Sequence, residues 1–205
     1  MPLQNRVDPY GTLHAVAARG AWTGNRGILH DESKRIVAPW RVKRWITCTL
    51  QFKGRHRSVF APRRWSELFF LDEATAFGAG HRPCAECRRD RFNEFRAAWM
   101  SANADLLAGS GSRIDEIDKV LHAERAVRGG GKQTYSAQLD TLPSGTFVEY
   151  RHAPHLLWKG RLRPWSFSGY GAPASATEVA VLTPQSIVQV FHSGLLPQVH
   201  ASVER

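Results

Sequence analysis

The chain has 205 residues, 42% hydrophobic and 22% charged, enough for one well-buried core or two small ones and close to the globular average, which excludes disordered, collagenous and coiled-coil chains. Lys and Arg number 28 against 18 Asp and Glu, a formal charge of +10. The first hundred residues carry 18 basic and 9 acidic side chains and the rest 10 and 9, so the excess is an N-terminal property.

Taken in order, residues 1–40 read as irregular chain with short strands, punctuated by Gly11, Gly20, Gly24, Gly27 and Pro39. From Arg44 the pattern sharpens, because Ile46, Cys48, Leu50 and Phe52 alternate with Trp45, Thr47, Thr49 and Gln51, the period of a half-buried strand. Lys53-Gly54 then predicts a hairpin turn, with Arg55 to Phe60 returning and Cys48 on the apolar side. Asp72 can cap a short helix over Glu73 to Ala76 that Gly78 and Gly80 end. His81 to Cys87 reads as a tight loop, and Phe92, Phe95 and Trp99 recur at helical spacing from about Arg88 to Met100. Cys84 and Cys87 therefore sit at a helix N-terminus, which favours thiolates.

Ser101 to Ser112 looks like a linker. Ile114, Ile117 and Leu121 mark a third helix, stopped by Gly129-Gly130-Gly131. Strands are expected at Thr146–Tyr150, Leu156–Leu162 and Glu178–Leu182, and Thr183-Pro184 should start a last helix through Ile187, Val188 and Phe191. This divides the chain into 1–103, which is basic, and 113–205, a mixed subdomain.

Between Glu32 and Glu67 there is no acidic residue, while Lys34, Arg35, Arg41, Lys43, Arg44, Lys53, Arg55, Arg57, Arg63 and Arg64 fall there. Such a run is either a solvated face or a surface for a polyanion. Trp40, Trp45, Phe52, Phe60 and Trp65, interleaved with it, are either core residues or platforms for bases, the second of which points to DNA or RNA. A membrane partner is not expected, since no long apolar span or lipidation signal accompanies the charge, and with no apolar leader at the start a cytoplasmic location is expected.

Cys84-x2-Cys87 places two sulfurs within reach of one ion. A redox pair would want a preceding strand and a βαβ context, where a short helix and Gly-His-Arg-Pro stand instead. For Zn2+ two further ligands are needed. Cys48 is the only other cysteine, and it can equally be a small buried apolar residue. His14, His30, His56, His81 and His122 are candidates for the fourth place, His30 following a glycine-rich loop that can fold back on the site.

The stretch Leu68 to Arg88, above all Ala79-Gly80, Arg82-Pro83-Cys84 and Cys87, resembles the second half of the Ada-type zinc-binding domain. The wider chain also resembles a group of bacterial proteins of unassigned activity that share Gly24-Asn25-Arg26-Gly27, the Glu67–Arg89 block and Trp165-Ser166-x-x-Gly169-Tyr170. With the elements above, the expected fold is α+β, a small Ada-like zinc-binding hairpin and helix module packed with a mixed α+β C-terminal subdomain. The first resemblance implies a four-ligand zinc site with Cys84 and Cys87 as its last two ligands. The paired early cysteines of repair domains, one of which accepts a methyl group, are absent, since only Cys48 lies upstream. Related modules replace an early cysteine by histidine, consistent with His30 plus Cys48.

The leading expectation is a zinc-containing nucleic-acid-binding protein, related to DNA repair or processing. Its structural site would be His30, Cys48, Cys84 and Cys87, with Arg41, Lys43, Arg44, Lys53, Arg55, Arg57, Arg63 and Arg64 facing phosphates. The alternative is a zinc-dependent hydrolase. Zinc deaminases combine His-x-Glu with Pro-Cys-x-x-Cys, and the chain holds both strings, as His122-Ala123-Glu124 and Pro83 to Cys87, in reversed order. Glu124 would then be the proton shuttle and His122 a ligand beside Cys84 and Cys87. A nuclease with catalysis away from the metal is a further enzymatic reading, for which no spacing among His152, His155, Asp72 and Glu86 forms a motif.

Overall fold

A computed structural model describes residues 1–54, 58–107 and 113–205. Its elements are mixed α+β, with four α-helices and two sheets among the described residues. The first sheet takes its strands from the N-terminal part: β1 (Arg6–Val7), β2 (Leu13–His14), β3 (Trp22–Asn25), β4 (Ile46–Cys48), β5 (Leu68–Phe70) and β6 (Arg82–Pro83), in the order β2-β1-β5-β3-β4-β6. The second contains β7 (Tyr135–Gln138), β8 (Phe147–Tyr150), β9 (Ala153–Trp158), β10 (Arg161–Ser166), β11 (Gly169–Tyr170) and β12 (Glu178–Val181), in the order β11-β10-β9-β8-β12-β7. The helices are α1 (Glu73–Gly78), α2 (Arg89–Ala102), α3 (Ile114–Arg125) and α4 (Gln185–His192).

The expected β-hairpin around Lys53-Gly54 is not what β4 joins. It pairs antiparallel with β3, Thr23 opposite Cys48, and parallel with β6, Ile46 opposite Arg82. Gly24 permits this, since a Cβ there would lie 2.2 Å from the Ile46 carbonyl oxygen. Burial along β4 also runs opposite to the apolar alternation, with Thr47 buried, Cys48 half-buried and Leu50 exposed. β4 is an inner strand, paired on one edge with β3 and on the other with β6. Of the expected returning segment, Arg55 to Arg57 lie outside the described residues, and 58–60 form no strand.

The helices match the sequence pattern closely. Asp72 caps α1, its carboxylate accepting from Thr75 N–H at 2.8 Å. Phe92, Phe95 and Trp99 form the buried stripe of α2. The expected N-cap of α4, Thr183, is used differently: its hydroxyl accepts the Phe147 N–H at 2.8 Å, while Glu124 from α3 receives the Ser186 N–H and hydroxyl at the start of α4. The single strand expected over Leu156–Leu162 is a hairpin, β9 and β10, turning at Lys159 and Gly160, both of positive φ.

The two parts of the chain share their cores. Phe77 of α1, Phe95 and Trp99 of α2, Ile117 and Leu121 of α3 and Ile187, Val190 and Phe191 of α4 form one cluster. Leu71 and Ala74 pack with Phe147, Leu156 and Tyr170 in another. A buried carboxylate ties the same seam: Asp72 accepts from Tyr170 hydroxyl at 2.7 Å and from His200 N–H at 2.9 Å, and burial raises its pKa despite these donors. The boundary drawn between 103 and 113 is therefore a seam crossed by packed side chains, with α1, α2, α3 and α4 on both sides of it.

Candidate metal centre

β4 and β6 run side by side, and the ladder continues past β6 because Cys84 N–H donates to the Thr47 carbonyl at 2.9 Å. Cys84 is thereby set beside Cys48 across 36 residues of sequence. The chain then turns, with Arg88 N–H on the Cys84 carbonyl at 3.2 Å, and enters α2, so Cys87 comes back over the same spot. The ligand atoms of Cys48, Cys84 and Cys87 all lie within 4.8 Å of one another, and the three can hold a metal ion. Cys84 is buried, and Cys48 and Cys87 are half-buried.

The polarity of the site favours thiolate at Cys84. The thiols of Cys48 and Cys87 donate to it, and backbone N–H groups of the turn, including Glu86 at 3.4 Å, point at its sulfur, which pulls its pKa far below the ordinary thiol value. The same sharing of protons, together with burial, raises Cys48. A cation replacing those protons would be received by three thiolates, and backbone N–H groups of the turn would stabilise the charge on Cys84.

Two buried ion pairs fix the loop that carries Cys84 and Cys87. Arg82, in β6, makes a bidentate pair with Asp118 of α3 at 2.8 and 2.7 Å. Arg88, just after Cys87, reaches Glu73 of α1 at 2.5 Å, and Arg91 shares the same carboxylate at 2.9 Å. Burial pushes the Glu73 carboxyl up, but the two guanidinium groups outweigh it and hold the pKa below the usual carboxylate range. Arg88 also lies over the Trp22 ring at 4.0 Å. The loop is clamped at both ends by charges that α1 and α3 supply.

The other expected ligands are not brought to the thiols. His30 is buried on the far side of its loop, stacked on Phe60, with Nδ1 on the Ser66 hydroxyl at 2.7 Å and Nε2 on the Ala61 carbonyl at 3.2 Å. Both ring nitrogens are thus occupied in holding the 61–66 turn. His122 packs edge-on against Trp40 and Trp45, and its pKa is lowered to about 4 by burial and by Arg125 and Lys43. Glu124 is engaged at the N-terminus of α4, so the His-x-Glu arrangement is not assembled with Cys84 and Cys87. His14 pairs with Asp8, His81 lies in the core against Trp45 and Phe70, and His56 lies outside the described residues.

In the acid-free stretch that contains Cys48, Arg41, Lys43, Arg44, Lys53, Arg63 and Arg64 are all exposed, and none forms an ion pair with a carboxylate among the described residues. Arg44 lies over Trp65 at 5.3 Å and Lys53 over Phe52 at 5.3 Å. Arg35 differs, being paired to Asp31 at 2.9 Å. Arg55 and Arg57 lie outside the described residues. Among the described residues no helix is long and apolar enough to cross a membrane.

Sequence reasoning missed a second polar feature. Arg26 and Arg125 are both buried, at 2% and 1% exposure, and lie over Trp45 at 4.5 and 4.3 Å. Arg26 stands in the Gly24-Asn25-Arg26-Gly27 string, a signal of an unusual loop, whereas Arg125 reads as an ordinary basic residue in the last turn of a helix. Comparison with known proteins finds no matching family model, no similar curated protein and no similar solved structure.

Proposed function

We propose that this is a zinc-containing nucleic-acid-binding protein, in which Cys48, Cys84 and Cys87 hold a structural Zn2+ and the basic surface beside them contacts phosphates. The observation that carries this reading is the convergence of three thiols, one of them within an acid-free stretch whose cations Arg41, Lys43, Arg44, Lys53, Arg63 and Arg64 are exposed and without a carboxylate ion pair among the described residues. Thiolate ligands suit zinc. Three thiolates and one Zn2+ leave a net negative charge, which the neighbouring cations offset. A further ligand is needed to complete a tetrahedral structural site, and neither His30 nor His122 supplies it in this arrangement. The likeness of the Arg82-Pro83-Cys84 and Cys87 segment to Ada-type domains supports a DNA-facing role, related to repair or processing, without methyl transfer.

Metal content and X-ray absorption at the zinc edge test the first half. Zinc should be retained in His30→Ala and His122→Ala and lost in Cys48→Ala and Cys84→Ala; retention in Cys48→Ala with loss in His122→Ala would restore the hydrolase set. For the second half, fluorescence anisotropy with labelled DNA and RNA should show affinity falling steeply with salt, with a shallower slope in Lys43→Gln/Arg44→Gln/Arg64→Gln. A flat salt response in the unaltered protein would remove nucleic acid as the partner.

A further inference from the structure

Arg26 and Arg125 line a cleft of about 370 Å³ between the N-terminal segment, the 36–40 loop and the Gly130-Gly131 turn. Its volume lies within the range of small-molecule sites, about 300–1,000 Å³. Trp40, Ile36 and Pro39 form an apolar wall, and Gln4 and the two arginines supply polar groups.

What marks the cleft is that neither arginine forms an ion pair with a carboxylate among the described residues. Arg26 donates to the Gly11 carbonyl at 2.8 Å, and Arg125 to the carbonyls of Gly80 and Lys43. The Nε atoms of both are buried with no hydrogen-bond partner among the described residues. The surrounding carboxylates are engaged elsewhere. Asp8 accepts from His14 and Thr12 N–H, Asp118 from Arg82, Glu124 from Ser186 and Glu149 from the Tyr10 hydroxyl. Lys132 donates to the Gly78 carbonyl at 2.6 Å, and burial with the neighbouring Arg125 and Arg26 lowers its pKa to about 7. The indole of Trp45 offers a face to each guanidinium, and such contacts recover only a fraction of what burying an ion costs. Burial accordingly lowers the pKa of Arg26 and of Arg125.

The architecture keeps Arg125 in place. Gly80, at φ +86, has no side chain where Arg125 passes, and a Cβ there would lie 2.4 Å from the Arg125 Cδ. Two guanidinium groups held rigidly in a cleft, with unused N–H donors, match the oxygens of a phosphate or carboxylate.

We propose that this cleft binds a small organic anion, its phosphate or carboxylate group received by Arg26 and Arg125 and its flat apolar body lying against Trp40. The site does not rest on the metal centre or on nucleic-acid binding. Trp40 and Trp45 also give it an intrinsic fluorescence readout.

The test titrates the full chain with phenyl phosphate, benzoate, inorganic phosphate and neutral phenol, followed by tryptophan fluorescence and calorimetry. At least one aromatic anion should bind ten-fold or more tightly than phenol, and its head group, phosphate or carboxylate, identifies the source. Arg26→Gln should weaken that binding at least ten-fold. Val37→Asp keeps the test sound if Arg26→Gln fails to fold, because Val37 is an exposed cleft residue, 54% accessible, where a carboxylate would repel the anion. Binding no tighter than phenol, no binding at millimolar anion, or wild-type affinity in folded Arg26→Gln or Val37→Asp would overturn the proposal.

Discussion

Among the described residues four arginines are buried, and they fall into two unlike pairs. Arg82 and Arg88 each meet a buried carboxylate, on α3 and α1, and between them stand the two cysteines of the turn. Arg26 and Arg125 hydrogen-bond to carbonyl oxygens and both lie over the indole of Trp45, with no carboxylate ion pair among the described residues. In the first pair the fold supplies the counterion, so the charges hold backbone in place. In the second the counterion is missing from the fold, and the charges are available to something that enters. Burial of a cation thus serves either architecture or recognition, and the partner list distinguishes them.

The largest effect should come from breaking a compensated pair. Glu73→Ala leaves Arg88 buried without its carboxylate and Arg91 with only Glu94 as counterion, and should lower stability by about 3–5 kcal/mol in urea denaturation. A loss under about 1 kcal/mol would place Arg88 in the same class as Arg26.

A smaller effect is expected from pH. His81 is buried against Trp45 and Phe70 with both ring nitrogens unpartnered among the described residues, and burial, Arg26, Arg125 and Lys132 hold its pKa well below 6.5. Below about pH 6.5 the unfolded imidazole takes a proton that the folded one refuses, so the unfolded state binds more protons and stability falls on acidification. His122, lowered to about 4, contributes with the same sign, attenuated by solvent. The melting temperature should therefore decline from pH 7 to pH 5, and His81→Phe should flatten that decline; an unchanged slope in the variant would mean that His81 is not held neutral by its burial and the neighbouring cations.

Arg26→Met should cost about 1 kcal/mol or less, because it removes one hydrogen bond together with an uncompensated charge. A loss as large as that of Glu73→Ala would show that Arg26 is structural, and calorimetric unfolding separates the cases. Smallest is Arg64→Gln at the exposed surface, expected to leave stability within about 0.5 kcal/mol while weakening nucleic-acid binding at low salt. Equal affinity in the two proteins would take Arg64 out of the phosphate-facing surface.

Residues with a local signature were legible in the sequence. The caps and stripes of α1, α2 and α3 follow from Asp72, from Phe92, Phe95 and Trp99, and from Ile117 and Leu121, because helix periodicity and capping depend on neighbours within one or two turns. The cysteine turn was legible for the same reason. The pairing of β4 was not, since a strand's alternation does not say which strand will cover it, and here Gly24 and the 82–84 segment took the place of the expected hairpin.

The sequence by itself determined the α+β class, the helix positions, the Cys84-x2-Cys87 turn and the concentration of positive charge near Cys48. Only the tertiary structure decided that Cys48 joins that turn, that His30 is spent on Ser66 and Ala61, and that Arg26 and Arg125 both lie over Trp45. Ligand sets and counterions are relations between residues tens of positions apart. They are fixed by strand register and by which side chains have already been satisfied elsewhere, neither of which is written in local spacing.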